Sequence, residues 1–210
     1  MTLTDTQRAY ELLRERIVTT RMAPGSVIHE ATVMAETGFG RTPIREALKL
    51  LEAEHLVTVS PRRGMFVTTI NISDLAHIQE VRSALDPLCV RLAMARITPE
   101  ELDRLRGLVE EIRAGAERRD MQALISLDRC FHRQLAHSTR NPILIAEDEM
   151  LYHLSLRIWH FYLNRLAPED FGFDYLADVV DALTVKDLGR AERSLASHVA
   201  DFGAAVRRCL

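Results

Sequence analysis

Apolar residues along the chain fall mostly at helical spacing. Near the amino terminus Ala9, Leu12, Leu13 and Ile17, with Arg16 and Thr20 on the same line, recur at i, i+3, i+4 and i+7 and lay one stripe along a first helix. Asp5 stands ahead of it as a cap, and Pro24-Gly25 carries the turn chemistry that stops it. A short helix over 30–37 is closed by Gly38. Thr42-Pro43 opens a third, because proline in a first turn gives up an N–H that has no helical acceptor. Ile44, Leu48 and Leu51 mark its inner face, and it ends near Glu54. The period then changes. LVTVS, PRRG and MFVTTI read as strand, tight turn, strand, with Val57 and Val59 alternating with polar residues on the first strand and Phe66 and Thr68 on the second. Three helices and a two-stranded ribbon within 70 residues describe a winged helix-turn-helix.

From Asn71 onward the pattern is almost wholly helical. Ser73-Asp74 caps a helix with Leu75, Ile78, Val81, Leu85, Leu88 and Leu92 along one side. Thr98-Pro99-Glu100-Glu101 is a strong helix start: a capping Thr, a first-position Pro and acids in the first turn. Further helices are predicted over 100–118, 120–138, 142–165, 175–185 and 187–207, with breaks at Asn141-Pro142 and Ala167-Pro168. Short connections between helices of this length argue for an antiparallel bundle. The expected fold is therefore mainly α: a winged helix-turn-helix domain over 1–72 and an all-α helical bundle over 73–210.

Composition narrows the function. Among 210 residues, 47% are hydrophobic and 27% charged, so wholesale disorder is excluded. The net charge of -3 excludes a uniformly basic coat, but the balance is uneven. Residues 1–70 hold nine Lys/Arg against eight Asp/Glu, and 71–210 hold 18 against 22. Three scattered cysteines, Cys89, Cys130 and Cys209, with no CxxC, suit a reducing cytoplasm better than a disulfide framework. Cys130, beside Phe131, reads as a packing residue. No run of 18 apolar residues and no signal-like leader occurs, so neither a membrane span nor secretion is expected.

Two constellations carry chemistry. Arg41 and Thr42 start the third helix, and Arg45 lies one turn on along the same face. A helix entering the major groove reads bases with its N-terminal residues, and arginine can meet guanine O6 and N7 with two hydrogen bonds. Thr42 suits a phosphate; Arg62 and Arg63 at the wing tip suit phosphate or the minor groove, with Gly64 permitting the turn. In the second half, Asp128 and His132 are i and i+4, on one helix face beside Leu124, Leu127, Phe131 and Leu135. His198 lies in line with Ala191, Leu195 and Phe202, and so also faces inward. One carboxylate and two imidazoles suit a divalent metal such as Zn, Ni or Mn, while a hydrogen-bonded pair without metal accounts for the same residues. Arg82, among apolar neighbours, suits a small carboxylate effector, or else an ion pair with Asp86.

The first 70 residues resemble the GntR family of transcription regulators. The resemblance rests on Pro24-Gly25, Glu30, Ala35, Gly38, Arg41-Thr42-Pro43, Arg45-Glu46-Ala47-Leu48, Leu51, Leu56-Val57, Arg63-Gly64 and Phe66-Val67. Gly40 stands where the family usually has Ser or Thr, and His55 where it usually has Gly. The remainder resembles the FCD ligand-binding domain of the FadR-like branch, through Val81-Arg82 with Leu85-Asp86, Asp128 with Phe131-His132, the 138–142 turn with Asn141, and His198. The resemblance implies a cytoplasmic homodimer that binds a palindromic operator in double-stranded DNA and answers a small acidic metabolite held by Arg82 and Asn141. It implies a metal at Asp128, His132 and His198, although Leu176 occupies a position where metal-binding relatives carry a further His. Asp174 or Asp178 could substitute for it, with unpersuasive spacing. The rival reading is a small metal-dependent, hydrolase-like enzyme using the same Asp128, His132 and His198. No GxSxG, HExxH or phosphate-cradling loop supports it.

Overall fold

Thr4, rather than Asp5, caps the first helix of the computed structural model, which describes residues 3–166 and 173–209. Thr4 accepts from the backbone of Gln7, and Gln7 returns a bond to the Thr4 N–H, closing a capping box. Helix α1 (Asp5–Val18) leads into β1 (Val27–Ile28), α2 (Glu30–Thr37), α3 (Arg41–Ala53), β2 (Val57–Ser60) and β3 (Gly64–Val67). Ala9, Leu13 and Ile17 of α1 and Ile44, Ala47, Leu48 and Leu51 of α3 are buried, and the two helices pack together. Gly38 ends α2 at φ 74, the left-handed conformation that a glycine adopts without a Cβ penalty.

The ribbon departs from its expected form twice. It is a three-stranded antiparallel sheet in the order β1-β3-β2, with Val27 opposite Phe66 and Val57 opposite Val67. Its buried residues are Ile28, Val57 and Val67; Val59 is exposed and Phe66 only half-buried. On β3 the side-chain period of two makes Val67, one residue from Phe66, the inward residue. Val57 and Val59 share a phase on β2, and Val59 is exposed at the end nearer the wing turn. Before β2, His55 takes φ 61, so it keeps the left-handed turn that glycine would provide.

The remainder is helical: α4 (Ile72–Arg96), α5 (Pro99–Glu117), α6 (Met121–Ser138), α7 (Pro142–Tyr162) with a 3-10 turn at Leu163–Arg165, α8 (Phe173–Val185) and α9 (Leu188–Arg208). The break at Ala167-Pro168 lies outside the described residues. The chain divides into two units, Met1–Asn71 with Leu156–Phe161, and Ile72–Ser155 with Tyr162–Leu210. In the second, α4 packs on α6 and α9, α5 on α6 and α8, and α8 on α9. Phe131, Leu105, Leu124, Leu135 and Leu176 centre its core. The buried side of α4 carries Leu75, Ile78, Arg82, Asp86, Cys89, Val90 and Ala93, whereas Val81 is exposed. The helix therefore turns two charged residues inward. Among the described residues no helix is long and apolar enough to cross a membrane.

Candidate functional site

Helix α3 begins at Gly40, which caps it without a side-chain bond, so the first N–H groups are left to an external acceptor. Arg41, Thr42 and Arg45 are exposed there, opposite the buried Ile44–Leu48 face. Arg62, Arg63 and Gly64 are exposed at the wing tip, with Arg62 at φ 66 and Gly64 at φ 102. Sequence reasoning missed one partner. Arg45 Nε lies 2.9 Å from both oxygens of Glu30, at the start of α2. The Arg45 side chain still keeps 55% of its surface exposed. Its terminal nitrogens have no hydrogen bond among the described residues. The Glu30 signal was present only as an acidic residue on a neighbouring helix, 15 positions away.

In the helical unit Asp128 and His132 from α6 meet His198 from α9, all buried, each offering a ligand atom within 4.8 Å of the others. Asp128 Oδ1 is 3.0 Å from His198 Nε2 and 3.8 Å from His132 Nε2. The first approach is not aligned as a hydrogen bond and the second is too long for one, so among the described residues this buried oxygen accepts none. Oδ2 accepts from Tyr152 at 2.6 Å. The two imidazoles stack at 5.3 Å. Burial pushes the His132 pKa down to about 3, so its ring is neutral over the physiological range. Burial alone would raise Asp128; the two imidazoles and the Tyr152 hydroxyl outweigh it and hold the carboxyl below its usual value.

Arg82 is buried beside this cluster, with Nε 3.2 Å from Asp86 Oδ2 and Nη2 3.4 Å from His132 Nδ1. The ion pair with Asp86 that the sequence offered as an alternative is thus formed. Burial pushes Asp148 of α7 up to about 7, with Arg82 opposing and Asp86 reinforcing the rise. Tyr152 and Asp148 were missed, although they are i and i+4 on α7 and so share a face. Asn141 is spent elsewhere: its Oδ1 accepts from the N–H groups of Ile143 and Leu144 and caps α7. Leu176 is fully buried in the core, Asp174 is exposed, and Asp178 is bonded to Arg190 and Ser194, so none of the three completes the ligand set. Cys130, expected to pack, is exposed. It sits on the outer face of α6, out of phase with Asp128 and His132.

A helix with arginines at its exposed N-terminus and a basic wing, on a chain with a separate helical unit, defines a DNA-binding transcription regulator of winged helix-turn-helix class. Residues 5–67 match the family described as bacterial regulatory proteins, gntR family, and residues 77–201 match the FCD domain. The chain belongs to the gntR family and carries an FCD domain; it is a regulator rather than an enzyme. It is similar to the HTH-type transcriptional repressor RspR of Escherichia coli (strain K12), 25% identical over 202 residues that cover 96% of this chain and 89% of that one. An uncharacterized HTH-type transcriptional regulator in an unstable DNA locus of Streptomyces ambofaciens is 33% identical over 197 residues, 93% of this chain and 82% of that one. The solved structure of E. coli McbR/YncC shares the fold at a TM-score of 0.88 and 23% identity, covering 99% of each chain.

Proposed function

We propose that this regulator reads an operator with Arg41 and Arg45, is positioned on the backbone by Thr42, Arg62, Arg63 and the backbone of Gly64, and answers a small carboxylate effector in its helical unit. The carrying observation is the exposed N-terminus of α3, where the Arg45 side chain keeps 55% of its surface exposed and its terminal nitrogens are unbonded among the described residues. One copy offers few base contacts, so a homodimer on a palindrome supplies the needed specificity. Arg45→Ala should cost about 1–3 kcal/mol at the operator and relax the base preference there. Gel-shift titration against operator and scrambled duplex checks this; equal loss on both would reduce Arg45 to a phosphate contact.

For the interior cluster the proposal is a divalent metal at Asp128, His132 and His198. The unsatisfied Asp128 Oδ1 facing two imidazoles supports the fit. Three protein ligands leave positions open to an exogenous oxygen, so a bound ion would act as a Lewis acid toward an effector carboxylate. A guanidinium can only donate, so with Arg82 on Nδ1 the His132 proton belongs at Nε2. For Nε2 to serve as a ligand that proton has to move to Nδ1, and Arg82 must then release His132. The released guanidinium is the group that an acidic effector meets. Elemental analysis of protein purified without chelator should find one equivalent, lost in His132→Ala; metal-free wild-type protein would leave the hydrogen-bonded cluster as the better reading.

A further inference from the structure

Helix α6 has a second chemical face. Cys130, Arg133, Gln134 and His137 recur at i, i+3, i+4 and i+7, and together with Arg104 of α5 and Arg140 of the α6–α7 turn they line an open cavity of about 620 Å³. Pro142 and Ile145 close one side with apolar surface. Asp128 and His132 point to the opposite side of the same helix, into the core, so this cavity is separate from the interior cluster.

The charges around it are unequally satisfied. Among the described residues Glu101 is the one carboxylate in the lining, and both its oxygens are engaged. Arg140 Nη1 and Nη2 donate to its two oxygens at 2.7 and 2.8 Å, and Glu101 also accepts from the Thr98 N–H at 3.1 Å in the α5 capping box. Arg140 holds its position from a left-handed backbone, φ 54, and donates to the His137 carbonyl as well. Arg104 and Arg133 remain 59% and 65% exposed. Arg104 Nε bonds Gln134 at 3.3 Å, and its Nη2 stands 3.9 Å from Glu101. Arg133 Nε and His137 Nε2 stand 3.7 and 3.6 Å from one oxygen of Glu149, beyond hydrogen-bonding reach. Solvent-exposed ion pairs at such distances hold their partners weakly. Two guanidinium groups of the lining, Arg104 from α5 and Arg133 from α6, thus keep donors for an incoming acceptor.

We propose that this cavity binds a small oxyanion carrying two or more acidic groups, carboxylate or phosphate, between Arg104 and Arg133. Its volume falls in the range of metabolite sites, and paired guanidinium forks suit oxyanion geometry. The chain supplies its own reporter, because Cys130 is exposed on the cavity wall while Cys89 is buried.

The test is the rate of iodoacetamide alkylation at Cys130, read peptide by peptide by mass spectrometry on the full chain, with citrate or pyrophosphate titrated against chloride at constant ionic strength. Saturable protection of Cys130 by either probe, with Cys209 unaffected, is expected. Arg104→Ala and Arg133→Ala should each raise the half-protecting concentration about tenfold or more, the value of a lost charge-assisted hydrogen bond. Arg113→Ala, an exposed arginine of α5 away from the cavity, should leave it unchanged. Absence of protection in the wild-type chain overturns the proposal without recourse to any variant. So does protection that survives in both arginine variants, or protection that rises with protein concentration alone, which would mean that a second copy covers the cavity.

Discussion

A guanidinium has two bonding edges, and Arg45 has one of them occupied. With Nε held by both oxygens of Glu30, only its terminal nitrogens remain to meet a base. Glu30 also neutralises the arginine wherever no guanine is on offer, so Arg45 gains little from a phosphate alone. Glu30→Gln should therefore strengthen binding to scrambled DNA, steepen the salt dependence by about one unit, and narrow the ratio between operator and scrambled duplex. An unchanged ratio in salt-series titrations would reduce the pair to surface charge. The arginines themselves were legible because Gly38 and Pro43 fix where α3 starts, and a helix start fixes which side chains lead. Glu30 was not, because its encounter with Arg45 depends on the turn between two helices. Cys130 was misjudged from its neighbour Phe131; one step along a helix is about 100° of rotation, enough to pass from core to surface.

At the level of elements, caps located two helices, whereas Ser73-Asp74, read as a cap, lies inside α4, and the cap of α1 is Thr4 rather than Asp5. Thr98 with Pro99 and Asn141 with Pro142 begin α5 and α7 where their capping chemistry requires. Strand β1 escaped because two residues cannot display a period, and its partner strand decides that it pairs at all. His55 shows backbone geometry maintained against residue preference. His55→Gly should raise stability by roughly 1 kcal/mol, since glycine meets φ 61 without Cβ strain; a thermal melt that falls would show that the His55 side chain matters more than its backbone. The α4–α9 seam depends on Gly203, where a Cβ would come within 1.9 Å of Gln79 Nε2. Gln79 donates to the Val199 carbonyl at 3.2 Å and accepts from Arg207. Gly203→Ala alone should be near neutral, with helix propensity gained and that bond lost. In a Gln79→Ala background it should stabilise by about 1 kcal/mol. Equal effects in both backgrounds, measured by denaturant unfolding, would mean that the two residues do not interact.

Across the whole molecule, the interior of the helical unit is where pattern reading ran out. Hydrophobic periodicity put Val81 on the inner side of α4, but Arg82 and Asp86 lie there, because Arg82 meets His132 of α6 as well as Asp86. Asp148 keeps its proton to about pH 7 in the fold, against an ordinary value of 3.8. The folded chain thus binds more protons than the unfolded one between these values, so this group's contribution to stability is greatest below pH 4 and declines as pH rises to 7. The decline is on the order of 4 kcal/mol. Asp148→Asn should flatten that part of the stability curve, and unfolding series at pH 5 and pH 7.5 check it; parallel curves for the two proteins would place the carboxyl in contact with water.

That retained proton has a thermodynamic signature. Any guest that alters the charge beside Arg82 shifts the occupancy of the Asp148 carboxyl, so hydrogen ions enter or leave as the guest arrives. Heats of association recorded in phosphate and in Tris would then disagree, and the size of the disagreement would count the ions exchanged.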